Sequence, residues 1–460
     1  MKKICFVIPD GTGIRNYLYS ELVEHLQHKN CEIILLHSVS IEAIEEINKV
    51  HKTKFKSYKL PVYKESYYQK YLREVICYAR LIYNTKITAN NTILNNWNPN
   101  KSNLKKKVFY KLVQILGKYI SKKYKRILKF ENKYSKAVEN DCTLQKSFLK
   151  SINPEVVFST HQRAIQVVPL IAAAKQLNIS TIGAVFSWDN LPKARLSVRT
   201  EKYIVWSEYM KKELNLYYPE IENSCINITG TPQFEFYGKE EFVMNKEVFF
   251  SKYNLDASKK IICFSGDDTL TSPFDPNYLE DIAKAIRNEK LKIQILLRRA
   301  PVDVSGRFKS VILKHPNIIK EAVPLWNFDK KDTDNWQIIY PTYNDLELLV
   351  STAFYCDAVI NVGSTMAHDF TMFNKPAIYI NYNAVNSKTW NIETIYKFQH
   401  FKSMVNLNPV VWLNTRNEIK MVLNTAFNNP KVDNEVWLNK IAEHRKEASL
   451  NIANTLISCT

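Results

Sequence analysis

Short apolar runs alternating with helical stretches recur along this chain, and few folds accommodate that rhythm. Residues 4–8 form one such run. A turn carrying Gly11 and Gly13 follows, then a helical pattern over 14–28 and a second run over 33–36. The unit returns at 156–158, 164–177 and 181–186, and again from 203–206 to 226–229. Runs this short and this apolar, spaced by helices, read as parallel strands covered on both faces. A charged, aromatic stretch at about 236–258 interrupts the pattern and reads as a connection between domains. Strands are expected again at 261–264, 293–297, 338–340, 358–361 and 377–380.

The expected fold is therefore α/β, with two Rossmann-like parallel-sheet domains facing a cleft. The N-domain covers 1–240, with a basic helical insertion at about 50–135. The second domain covers 255–430. Residues 431–460 form a C-terminal helix with Trp437, Ile441, Ala448 and Ile452 on its apolar side, placed to pack back on the N-domain. At 460 residues the chain is long enough for two such domains, and 45% hydrophobic residues exclude a disordered chain.

Charge and cysteine use narrow the partners. A net charge of +19 calls for something anionic: nucleotide phosphate, anionic lipid, acidic glycan or nucleic acid. No nucleic-acid-binding signature is present, so nucleic acid is set aside. The eight cysteines contain no C-x-x-C pair and read as reduced core thiols, without a disulfide framework or zinc site. The opening MKKICFVIPDGTG reads as strand and turn, not as a signal peptide, and no stretch reaches the ~18 apolar residues of a membrane span. A cytoplasmic protein is expected, with any membrane contact peripheral, at the inner face.

The insertion bears on that contact. Lys101, Lys105, Lys106, Lys107, Lys111, Lys118, Lys122, Lys123, Lys125, Arg126 and Lys129 interleave with Leu104, Val108, Leu112, Ile115, Leu116, Tyr119, Ile120 and Ile127. That spacing predicts a basic amphipathic helix over 101–130, of the kind that lies on an anionic bilayer; the ordinary alternative is a helix packed on the N-domain with a solvated lysine face.

The chain has only nine glycines, and Gly11, Gly13, Gly183, Gly230, Gly266 and Gly363 fall in or just after expected strands. In open α/β sheets that edge is where ligands bind. The richest segment is 357–382, DAVINVGSTMAHDFTMFNKPAIYINY. A strand ends at Gly363, Ser364 and Thr365 open a helix, and Asp369 lies one turn beyond Thr365 on the same face. Free N–H groups and two hydroxyls there suit a diphosphate, and the carboxylate suits ribose hydroxyls. Simple helix capping is the plain alternative. Arg298 and Arg299 end one strand and Arg15 opens the first helix, so each is placed for pyrophosphate oxygens or for an ion pair. Gly266, with Asp267, Asp268 and Thr269, follows the first strand of the second domain and is expected to face the same cleft, a further candidate for donor binding.

This Gly-Ser-Thr block resembles the donor-binding motif of GT-B sugar-nucleotide enzymes. FSWDNLP (186–192), YIVWSEYMKKEL (203–214) and ITGTPQF (228–234) are similar to stretches of bacterial surface-polysaccharide and teichoic-acid-type transferases. The resemblance covers most of the chain outside about 40–150. It implies a GT-B fold and a nucleotide-sugar donor, of UDP, GDP or CMP type. It implies no required cofactor and no metal, since a DxD motif in the right strand context is absent. Many retaining members carry two glutamates around this turn; here the corresponding positions are Asn361 and Asp369, which points to an inverting mechanism.

An inverting transfer needs a base on the acceptor hydroxyl. Asp10, His161 and Asp189 all fall at expected strand C-termini, with Asp189 or Asp10 ranked first and His161 close behind. The expected activity is transfer of a sugar to a cell-surface glycan or lipid-linked acceptor. A CDP-polyol phosphotransferase or a sugar-nucleotide 2-epimerase would share the fold, and a non-catalytic anionic-lipid-binding protein is the reading from another class.

Overall fold

The computed structural model describes residues 1–99, 102–328, 339–428 and 430–459, so Lys101 and Ile338 of the readings above lie outside the described residues. The chain divides into two compact units. One comprises Met1–Pro232, Lys397–Lys402 and Ile441–Thr460; the other comprises Gln233–Tyr396 and Ser403–Lys440.

The first unit is built on seven strands: β1 (Lys2–Ile8), β2 (Cys31–His37), β3 (Lys56–Lys59), β4 (Val156–Ser159), β5 (Ser180–Ala184), β6 (Lys202–Val205) and β7 (Ile226–Ile228). They form one parallel sheet in the order β3-β2-β1-β4-β5-β6-β7. β1 and β4 are buried along nearly their whole length, as strands with helices on both faces must be. β3, with sequence KSYK and every residue exposed, carries no apolar signal and was not expected. The helical stretch expected over 14–28 is divided. A wide turn over Ile14–Leu18 closes with Tyr19 N–H donating to the Ile14 carbonyl at 3.0 Å, and the helix Leu22–His28 follows.

The insertion holds the helices Tyr67–Thr88, Leu104–Ile120 and Tyr124–Glu139. The single basic helix expected over 101–130 is thus two helices. Between them the Ser121 hydroxyl donates to the Lys118 carbonyl at 2.9 Å, a local bond that competes with helix continuation. Val113, Ile120 and Ile127 bury against Val75 and Ala79 of the first helix. Arg80, 1% exposed, ties this layer down through Glu131 at 2.6 Å and Glu220 at 2.9 Å. Burial opposes the charged form of Glu131, yet Arg199 and Arg80 hold its pKa down at about 2.

The second unit has β8 (Lys260–Ser265), β9 (Ile293–Arg298), β10 (Ile319–Glu321), β11 (Trp326–Phe328), β12 (Ile339–Pro341), β13 (Ala358–Asn361), β14 (Ala377–Ile380) and β15 (Val411–Leu413). Six form a parallel sheet in the order β10-β9-β8-β13-β14-β15. The strand expected at 338–340 is not among them: β12 pairs antiparallel with β11 in a separate two-stranded ribbon that ends on Pro341, whose missing N–H suits an edge. β10 and β15, three residues each, are too short to show periodicity.

The helix expected across 434–458 is also two, Asn434–Ile441 and Ala448–Ile457. The latter belongs to the first unit and packs on Leu22–His28. All eight cysteines are free, six of them buried. No helix among the described residues is long and apolar enough to cross a membrane.

Candidate active site

Strand order determines where each sheet opens. In the first unit the chain runs β1 to β2 to β3 in one direction, then restarts at β4 on the other side of β1. The loops after β1 and β4 therefore leave in opposite directions, and the ends of these two strands form the topological switch point. Asp10 follows β1 and His161 follows β4.

Their meeting depends on a close backbone approach. A Cβ at Gly13 would lie 2.4 Å from the Thr160 hydroxyl, so only glycine lets the first loop settle on the β4 end. That hydroxyl donates to the Val7 carbonyl at 2.9 Å, which fixes it in place. Asp10, 2% exposed, accepts Thr12 N–H on Oδ1 at 3.0 Å and faces His161 Nδ1 with Oδ2 at 2.6 Å. Burial alone would raise the Asp10 pKa, but the charge and hydrogen bond of His161, with those of Thr12, hold it below the usual carboxylate range. An ionised Asp10 can only accept, so Nδ1 carries a proton, and in the neutral form of the ring Nε2 would present its lone pair. Phe186 packs edge-on against the imidazole, ring centroids 4.4 Å apart. His161 Nε2 is buried and has no hydrogen-bond partner among the described residues.

Asp189 stands in the loop after β5, the next strand over. It accepts from the Ser187 hydroxyl at 2.6 Å and pairs with Lys193 at 2.5 Å. Against the cost of burial, Lys193 and then His400 hold its carboxyl well below the usual range. Several neighbours were not singled out from sequence. His400 packs on Trp188 and is pushed down to about 4 by burial. Arg163 donates to Asn190 Oδ1 at 2.9 Å and is lowered by burial and by the like charge of Arg195. Glu213 is raised to about 8 by burial and by Asp189, and both its oxygens lack hydrogen-bond partners among the described residues. Arg163, two residues beyond His161, is the one that adjacency could have flagged. Arg15 lies in the turn after Gly13, donating to Asn16 Oδ1 at 3.2 Å.

The second unit repeats the logic. Its switch point falls between β8 and β13, and there Ser265 and Ser364 bring their hydroxyls to 3.4 Å. Gly363 takes φ +69°, a conformation that side chains rarely adopt, and so turns the chain out of β13. Asn361, fully buried, accepts Ser364 N–H on Oδ1 at 2.8 Å and so braces the turn. Thr365 is exposed at the start of the helix Met366–Thr371, and Asp369 is half-buried on it.

The other second-unit candidates are occupied. Arg298, 6% exposed, makes two bonds from Nη2 to Asp345, at 3.1 and 2.9 Å. Arg299 bonds Glu321 at 3.1 Å and the Asp303 carbonyl. Both thus form ion pairs within the unit, one of the two roles expected of them. Gly266 admits the Phe308 ring, which a Cβ would meet at 2.8 Å, so its glycine answers to packing. No group of three or more His, Cys, Asp or Glu side chains placed to hold a metal occurs among the described residues.

Over its whole length the chain is similar in fold to several solved structures of sugar-nucleotide enzymes. One is the UDP-GlcNAc 2-epimerase of Neisseria meningitidis bound to UDP-GlcNAc, with TM-score 0.54 and 10% identity over 99% of this chain and 100% of that one. The fold is of the GT-B type. The UDP-GlcNAc 2-epimerase of Methanocaldococcus jannaschii gives TM-score 0.54 and 12% identity over 100% of both chains. A glycosyltransferase of Rickettsia africae gives TM-score 0.50 and 12% identity over 99% of this chain and 94% of its own. No protein-family model and no curated protein matches the chain.

Proposed function

We propose that the chain is a sugar-nucleotide enzyme, an inverting glycosyltransferase that moves a sugar from a nucleotide-sugar to a hydroxyl of a cell-surface glycan or lipid-linked acceptor. The observation that carries this is the Asp10–His161 pair at the switch point of the first sheet. An unmet buried nitrogen costs about 1–3 kcal/mol, a cost offset when a substrate hydroxyl donates to it. His161 Nε2 takes the acceptor proton as the acceptor oxygen bonds to the anomeric carbon, and the bond from that carbon to the diphosphate breaks. Asp10 is a positioning residue that holds the tautomer and steadies the imidazolium. This ordering puts His161 ahead of Asp10 and Asp189, both carboxylates too weakly basic for the task.

The donor belongs to the second unit. Ser364, Thr365 and the turn at Gly363 would meet the diphosphate, and Asp369 the ribose. What supports this is the pairing of Ser265 with Ser364 at the switch point, where α/β sheets bind ligands.

A 2-epimerase is the second reading, favoured by the fold shared with two such enzymes; there the same His161 would take the C2 proton of the sugar. Incubation with a panel of nucleotide-sugars separates the two. Acceptor-dependent release of nucleoside diphosphate supports the transferase, a new sugar-nucleotide formed without acceptor supports the epimerase, and nucleoside monophosphate released from an added CDP-polyol indicates a polyol-phosphate transfer. Failure of every nucleotide-sugar to bind would sink both the transferase and the epimerase.

A further inference from the structure

The helix Leu104–Ile120 has two apolar faces, and only one is used. Tyr110, Val113, Gly117 and Ile120 are buried within the insertion. Leu104, Val108, Leu112, Ile115 and Tyr119 are 76%, 52%, 52%, 60% and 54% exposed. Their spacing of four, four, three and four residues gathers them into a stripe roughly 80° wide along one side of the helix. Lys107, Lys111 and Lys118 border the stripe on one side, Lys105 on the other, and all four are exposed. Lys122, Lys123 and Lys125 continue the exposed positive charge beyond the helix end. From Leu104 to Arg126 there are nine basic residues and no acidic one.

We infer that this stripe is a docking surface for an anionic lipid bilayer, with the aliphatic side chains and Tyr119 entering the headgroup boundary and the lysines meeting lipid phosphates. Charge complementarity decides the occupant. Exposed aliphatics flanked by unopposed lysines fit a negatively charged, laterally uniform surface. A second copy of the chain would bring an equally basic helix against this one. The Arg126 guanidinium lies over the Tyr119 ring, 4.3 Å from its centroid, and holds that residue at the stripe's end. The proposal concerns where the enzyme works and does not depend on which sugar reaction it catalyses.

Co-sedimentation of the full chain with vesicles tests it. Binding is expected with vesicles containing phosphatidylglycerol, and little with phosphatidylcholine alone. Because the stripe residues are exposed, Leu112→Glu with Ile115→Glu should leave the thermal melt unchanged and abolish binding. Lys107→Ala with Lys111→Ala and Lys118→Ala should weaken it by more than about tenfold, as should raised salt. The inference is overturned if the unaltered chain stays in the supernatant with anionic vesicles, or if the folded glutamate variant still binds. It is equally overturned if the glutamate pair instead dissolves a dimer seen by sedimentation velocity. Loss of vesicle binding with turnover of soluble substrates intact would separate this surface from the reaction assigned to His161.

Discussion

Replacing Asp10 by Asn tests the assignment of His161, because the surrounding bonds dictate which way the amide must point. Thr12 N–H donates to Oδ1 at 3.0 Å, so the asparagine oxygen has to stay there, and its NH2 group falls where Oδ2 now faces His161 Nδ1 at 2.6 Å. A donor at that place makes Nδ1 the acceptor and moves the ring proton to Nε2, the nitrogen that should receive a proton. A hydrogen bond to a charged group contributes about 1.5–3 kcal/mol, so reversing it depletes the competent tautomer by roughly ten- to a hundredfold. Loss of the carboxylate also removes stabilisation of the imidazolium, and the whole effect should approach the ~10²–10⁴ that a general base supplies. The fall is expected in kcat, with donor KM nearly unchanged and the pH profile altered. Nitrogen NMR of the imidazole gives a second readout that needs no substrate: Nδ1 protonated in the parent chain, Nε2 in the variant. A folded Asp10→Asn variant that keeps kcat within a few-fold, or shows no change of tautomer, would refute the reasoning.

Two further substitutions address buried ionisable groups. Glu213 is raised to about 8 from an unfolded value near 4.3, so between those pH values the folded chain holds a proton that the unfolded chain lacks. The stability tied to that proton is fully present below about pH 4.3 and is lost as pH rises through 8, by up to ~1.4 kcal/mol per pH unit. Glu213→Gln should remove this dependence, so urea midpoints of variant and parent should draw apart in the variant's favour from about pH 5 to about pH 8; a constant offset counts against it. Arg298→Met leaves Asp345 buried with, among the described residues, the Leu325 N–H and the Trp326 indole as its remaining donors, each at 2.8 Å. Breaking such a pair costs about 3–5 kcal/mol, read as a lower urea midpoint with donor KM unchanged; a raised KM at full stability would instead return Arg298 to the donor phosphates.

How far the chain could be read in advance follows from the range of each interaction. β1, β4, β8 and β13 announce themselves because a strand buried on both faces must be apolar throughout, whereas β3 is exposed and carries no such mark. Asp10, His161 and Asp189 could be placed at strand ends, with the carboxylates ranked first; the reversed order proposed above could not be derived there. It turns on β1 lying beside β4, on Gly13 admitting Thr160, and on Lys193 taking up Asp189. That position 361 holds an amide and not a carboxylate is plain in the sequence, while its bracing of the Ser364 turn depends on how the chain folds back after Gly363.

The net charge shows the same division between what composition states and where structure puts it. An excess of +19 called for an anionic partner without saying where that partner binds. At the end of β9 the expected cations are neutralised locally, Arg298 by Asp345 and Arg299 by Glu321. Nine of the basic residues stand between Leu104 and Arg126 with no acid among them, beside an exposed apolar stripe. Phosphate recognition at Ser364 and Thr365 would then rest on backbone N–H groups and hydroxyls, which orient one diphosphate closely. The lysines, long and solvated, suit many phosphates at once. Raised salt should accordingly weaken vesicle binding far more than donor KM, because exposed lysines are screened over a Debye length of about 10 Å at 0.1 M salt, while hydrogen bonds in a half-buried turn are screened much less.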